Sequence, residues 1–119
     1  MIQRIDVAID CRDIETMSNF WTELVEYDRS EPMDDRYRAA AHPLGLGPRL
    51  VFQAVDDLAS GSKTPVHFDL HVGDIDEAAQ RVVELGGGRI DAEPITEAGS
   101  TWVRCTDPEG NVLCLVQAR

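Results

Sequence analysis

The chain is poor in the features that would mark it for nucleic acid, a membrane or the secretory pathway. Of its 119 residues one, Lys63, is a lysine; the other ten cations are arginines, scattered among 22 acidic residues. The formal net charge of −11 offers no basic patch to a phosphate backbone or an anionic bilayer, so neither is expected as a partner. No apolar run approaches the roughly 20 residues that span a bilayer. The start, Met1-Ile-Gln-Arg-Ile5, runs straight into a strand pattern instead of a charged-then-apolar leader, so a cytoplasmic protein is expected. Cysteine is scarce as well: Cys11, Cys105 and Cys114 form an odd set without a C-x-x-C pair. That excludes a disulfide framework and a zinc knuckle and leaves small buried hydrophobes as the default.

What is present is an ordinary globular composition, 43% hydrophobic and 28% charged, at the size of one domain. The chain also states one pattern twice. Val7-Ala-Ile-Asp-Cys-Arg-Asp13-Ile14 and Phe68-Asp-Leu-His-Val-Gly-Asp74-Ile75 lie 61 residues apart, and Leu50 to Ala54 matches Asn111 to Leu115 at the same offset. Each copy reads as a strand, a helix and further strands. Arg4 to Cys11 alternates as a strand, Asp13 is an N-cap, and Ile14, Met17, Phe20, Trp21, Leu24 and Val25 draw one helical stripe to about Glu26. Phe20 and Trp21 on that stripe read as core and not as a ligand box.

Extended stretches at Tyr27 to Pro32 and Arg36 to His42 follow, then a Pro- and Gly-rich loop from His42 to Pro48 and a strand from Arg49 to Val55. The segment from Asp28 to Pro48, with Met33 and Tyr37, is the expected lid or dimer element, and His42 is expected to face solvent. Asp56 to Thr64 is the connector. The second copy gives a strand from Val66 to Gly73 and a helix capped by Asp74, with Ile75, Ala78, Ala79, Val82, Val83 and Leu85 inward, ended by Gly86 to Gly88. Strands at Arg89 to Pro94, Ser100 to Thr106 and Asn111 to Gln117 complete it, the last two joined by the turn Asp107-Pro-Glu-Gly-Asn111. The sum is β-α-β-β-β twice: one α+β domain over residues 1–119, with modules at about 1–57 and 65–119.

Strand alternation places Asp6, Ala8 and Asp10 on one face, and His67, Asp69 and His71 on the corresponding face of the second copy. The apolar sets must meet the helices, so these polar sets face the opposite, concave side. Trp102 and Arg104 share a face of their strand, opposite Val103 and Cys105, and join the pocket if that face is concave.

Three groups of residues, Ile9 to Asp13 leading to Phe20-Trp21, His67 to Ile75, and Asp107 to Cys114, resemble the glyoxalase/bleomycin-resistance/extradiol-dioxygenase superfamily, or vicinal oxygen chelate proteins, in its glyoxalase-like domain branch. The resemblance covers essentially the whole chain. It implies paired βαβββ modules forming a cup-shaped, partly closed mixed sheet with helices outside, a homodimer, and a small-molecule ligand. Carried over, the family's four metal-ligand positions land on Asp6, Gln53, His67 and Cys114. His67 and Gln53 match in type, whereas Asp6 is a shorter acid and Cys114 replaces the expected carboxylate. The favoured reading is therefore a metal-independent cup for a small organic molecule, lined by Asp6, Asp10, Gln53, His67, Asp69, His71, Trp102, Arg104 and Cys114, with no cofactor. His67, His71 and Asp69 are the candidates for general acid-base work. The alternatives are a divalent-metal lyase, isomerase or dioxygenase of the same superfamily, and a non-catalytic drug-binding protein of the resistance type. A satisfied polar network without a ligand is the bland competitor.

Overall fold

The computed structural model describes residues 3, 5–30, 35–56, 67–97 and 99–118. It is a mixed α+β chain that divides into two compact units, Met1–Ser62 and Lys63–Arg119. The division falls inside the expected connector, of which 57–64 lie outside the described residues, as do Arg4, Pro32, Met33 and Val66. Among the described residues no helix is long and apolar enough to cross a membrane.

In the first unit β1 (Asp6–Cys11) leads to α1 (Ile14–Leu24), then β2 (Asp28–Arg29), β3 (Tyr37–Ala41) and β4 (Arg49–Ala54). The sheet order is β1-β4-β3-β2, with β1 parallel to β4 and the other pairs antiparallel. A parallel pair needs a crossover, and α1 starts that crossover. Asp13 caps α1 as expected: Oδ1 accepts from the Thr16 N–H at 3.1 Å and Oδ2 from the Thr16 hydroxyl at 2.8 Å. Both bonds hold the Asp13 carboxyl below its usual value. Met17, Phe20 and Trp21 are buried with Leu50 and Phe52 of β4 and Ala40 of β3. Ser18 and Thr22 are buried on the same helix, which the apolar stripe alone did not indicate.

The second unit repeats this with β5 (Phe68–Val72), α2 (Ile75–Glu84), β6 (Gly88–Arg89), β7 (Ile95–Glu97), β8 (Ser100–Thr106) and β9 (Val112–Gln117). Its sheet runs β5-β9-β8-β6, and β7 pairs with β8. The β7 hairpin is an addition to the expected pattern. Residues 90–94 carry Pro94 and lie outside any strand, so the expected strand at Arg89 to Pro94 shrinks to β6 and pairing resumes at Ile95. Ile75, Ala79 and Val82 of α2 are buried together with Val103, Cys105, Leu113 and Leu115, whereas Val83, expected inward, is 53% exposed.

Both helices end in the same Schellman arrangement. The Tyr27 N–H bonds the Thr22 carbonyl and the Glu26 N–H that of Glu23; Gly87 to Val82 and Gly86 to Val83 repeat it. The arrangement needs one left-handed residue, and Gly86 supplies it at φ 102°, but Glu26 holds it at φ 58°. An L side chain is disfavoured there, so Glu26→Gly is expected to stabilise the first unit by about 1 kcal/mol, read as a higher urea midpoint at unchanged slope.

Candidate functional site

The face of each sheet turned away from its helix is set by the ladders. In the second unit Asp69 pairs with Cys114, and Cys114 pairs in turn with Arg104, so these three side chains form one row across β5, β9 and β8. His71, Val116 and Trp102 form the adjacent row. His67, immediately before β5, continues the same face. Leu113, Leu115, Val103 and Cys105 occupy the other face and are fully buried. Alternation alone shows that Trp102 and Arg104 share a face; the ladders put that face on the side of His67 and His71.

The row is chemically connected. His67 Nε2 lies 3.1 Å from Asp69 Oδ1, with both side chains about half exposed, at 45% and 56%. Cys114, only 8% exposed, joins from the other side. Its thiol is pushed above the ordinary value first by burial and then by the neighbouring Asp69 carboxylate, while Arg104 pulls it the other way. Cys114 is therefore a neutral thiol and not a ready nucleophile. Donor atoms of His67, Asp69 and Cys114 all lie within 4.8 Å of one another.

Arg104 is organised by Asp91, a residue that no local pattern singles out. Asp91 accepts from the Arg104 Nε at 3.0 Å, from Nη2 at 2.9 Å and from the Arg104 backbone N–H at 2.9 Å. These bonds and the Arg104 charge lower the Asp91 carboxyl to about 2. The loop carrying Asp91 is itself tied down. Arg89 donates to the carbonyls of Asp91 and Ala92 and pairs with Asp76 of α2 at 2.9 Å. Asp91 and Arg104 are thirteen residues apart across a hairpin, a pairing no periodicity reports.

In the first unit the corresponding face carries Asp6, Ala8 and Asp10 of β1 with Arg49, Val51 and Gln53 of β4. Asp6 is paired with Arg49 at 2.8 Å. Gln53 stands opposite Asp10 and 3.5 Å from the Tyr37 hydroxyl. Asp6 and Gln53 are hence separated by four ladder positions, roughly 13 Å along the strands. Ligands of one ion sit about 2.0–2.3 Å from it, so this pair cannot share a centre. The four positions implied by the resemblance do not fit a single metal. The repeat explains the difference: the caps Asp13 and Asp74 are 61 apart, but the ladders pair Asp10 with Gln53 and its equivalent His71 with Val116. The last strands are out of step by two residues, so the equivalent of Cys114 is Val51, not Gln53.

His42 departs from its expected exposure. It is half-buried, accepts the Leu44 N–H on Nδ1 at 3.0 Å and meets the Tyr27 ring edge-on. Tyr27 donates its hydroxyl hydrogen to the Pro48 carbonyl at 2.9 Å, closing the loop.

The chain matches the glyoxalase-like domain family over residues 6–116. No curated protein matches it. Among solved structures it is similar to a glyoxalase/bleomycin resistance protein/dioxygenase family enzyme from Burkholderia phytofirmans, with 22% identity, TM-score 0.74, and 95% of this chain and 96% of that one covered. A glyoxalase-related enzyme from Fulvimarina pelagi gives 15% identity and TM-score 0.76, covering 99% and 89%. A glyoxalase/bleomycin resistance protein/dioxygenase superfamily member from Sphaerobacter thermophilus gives 20% and 0.70, covering 99% and 98%. At these identities the likeness is one of fold.

Proposed function

Because the chain belongs to the glyoxalase-like domain family, we propose that it binds a small organic molecule against the open face of the second-unit sheet, with Asp69-oriented His67 as the acid-base group and without a resident metal. The observation that carries this reading is the placement of Asp69, which accepts from His67 at 3.1 Å and stands opposite Cys114 in the same row. A carboxylate that takes the Nε2–H fixes the imidazole tautomer and leaves Nδ1 as a lone pair for a ligand hydroxyl or an acidic C–H. Arg104, with its charge balanced by Asp91, orients the other end of the ligand, and Trp102 supplies an apolar wall.

A metal-dependent reading has one specific observation in its favour, the nitrogen, oxygen and sulfur donors of His67, Asp69 and Cys114. This set suits zinc in type. Against it stand Asp6, committed to Arg49, and Gln53, displaced along the ladder.

A ligand-observed NMR screen of neutral and charged fragments tests the proposal. Hits are expected to lose at least roughly tenfold in affinity in His67→Ala, as expected for a lost hydrogen bond to a charge-oriented group, with the melting temperature unchanged. Hits that bind His67→Ala as well as the parent would overturn it. Near-stoichiometric zinc in the purified protein, lost in Cys114→Ser, would replace it by the metal reading.

A further inference from the structure

Arg104 is the permanent cation on the open face of the second sheet among the described residues. A guanidinium has five N–H donors in a fixed plane. Asp91 occupies the side edge, Nε with one hydrogen of Nη2. The end edge, made of Nη1 and the second hydrogen of Nη2, takes no part in that ion pair, and Nη1 has no hydrogen-bond partner among the described residues. The exposures run the same way: the Asp91 side chain is 13% exposed and that of Arg104 49%. The acid is spent inward and the fork is presented outward.

The fork is also held still. Asp91 Oδ2 accepts from the Arg104 backbone N–H as well as from Nε, so the guanidinium is referenced to its own strand. Asp91 in turn sits on a loop that Arg89 pins to α2 through Asp76. A preorganised end edge matches the spacing of two carboxylate oxygens and loses little freedom on binding. Lysine could supply the charge but not the pair of parallel donors.

The other end of the row sets the size of what fits. From Arg104 through Cys114 to Asp69 is two interstrand steps, roughly 10 Å between Cα atoms. The side chains close part of that span. The gap suits a molecule of about three to six carbons with an oxygen at each end. In the adjacent row Val116 and Trp102, with Ile95 paired to Trp102, give apolar surface for the carbons, and His71 stands at the Asp69 end.

Resting on the ligand reading above, we infer that the end edge of Arg104 is a carboxylate subsite and that the ligand class is a small hydroxy- or oxo-carboxylic acid, its carboxylate on Arg104 and its distal oxygen toward His67 and Asp69. Asp91 is the positioning residue for this subsite.

The test uses straight-chain hydroxy- and oxo-acids of three to six carbons, each beside its neutral amide, titrated into the full-length protein and followed by amide and side-chain NMR shifts. At least one acid is expected to shift Arg104, Cys114 and His67 together and to bind at least roughly tenfold more tightly than its amide, because only the acid forms a charge-assisted bidentate pair. Arg104→Lys is expected to remove most of that preference, weakening the acid far more than the amide. An unchanged urea midpoint of the Arg104→Lys protein separates a lost fork from a misfolded face. Acids and amides binding equally, with the same residues shifted, would overturn the acid class and leave the ligand reading standing. No shift of this face by any member would overturn the acid subsite, the ligand reading itself being decided by the fragment screen.

Discussion

Asp107→Ala is expected to destabilise the second unit by about 2–4 kcal/mol, one of the two largest effects foreseen, although Asp107 touches no candidate ligand group. Asp107 is 2% exposed and its carboxylate closes the β8–β9 turn. Oδ1 accepts from the N–H groups of Glu109 and Asn111, both at 2.9 Å, and Oδ2 from the Asn111 side-chain amide at 2.7 Å. Backbone bonds between Asp107 and Asn111 and from Gly110 to Asp107 complete the turn, with Gly110 at φ 88°. Alanine leaves these donors facing an apolar methyl. Asp107→Asn keeps the two backbone bonds but sets two amide NH2 groups against each other. Asn111→Asp alone sets two carboxylates together. The double exchange Asp107→Asn with Asn111→Asp restores one donor and one acceptor, and is expected to recover about 1 kcal/mol or more over the sum of the single changes. Urea unfolding of the four proteins measures this cycle. Additive losses would mean that the side-chain pair is immaterial.

The consequence for function lies in register. This turn fixes which residue of β8 meets Cys114, and a slip of β8 by one residue would carry Arg104 to the helix side, away from the face that holds Cys114. The arginine fork, the buried thiol and the Asp69 carboxylate form one row only because Asp107 holds Thr106 opposite Val112.

Phe20→Ala is expected to cost the first unit about 3–5 kcal/mol, a large part of the roughly 5–15 kcal/mol by which a small domain is stable. Phe20 is 1% exposed and meets Trp21 edge-on, with ring centres 5.4 Å apart. Removing it leaves a void between α1 and the β3–β4 part of the sheet that β-strand backbone cannot collapse to fill. Phe20→Leu keeps most of the volume and should cost about 1–2 kcal/mol. The two tryptophans fall one in each unit, so Trp21 fluorescence in a Trp102→Phe background follows the first unit alone. A Phe20→Ala protein with an unchanged urea midpoint would show that the side chain is not core, and would reopen the aromatic-box reading of the helix.

Much of this was legible from residue types because it depends on local physics. Asp13 and Asp74 cap helices since a short acid accepts from N–H groups three residues on, and both do so in the structure. The turn at Asp107 to Asn111 was readable for the same reason, and so was the sharing of a face by His67 and Asp69, or by Trp102 and Arg104, because alternation in a strand is strict. His42 was misread because Tyr27, fifteen residues away, shelters it. The β7 strand was missed because three residues hold too short a pattern to be told from loop.

By itself, then, the sequence determined the two-fold β-α-β plan, the helix caps and the faces of the strands. Each of these follows from interactions within a few residues or from a period of two or 3.6. The tertiary structure alone decided which strands lie side by side and in what step. That step set Gln53 against Asp10 and Cys114 against Asp69, dissolved the four-residue metal set, and brought Asp91 to Arg104. Such pairings join residues thirteen to forty-five positions apart, where register is fixed by turns, burial and hairpin length acting together and no local pattern carries the information.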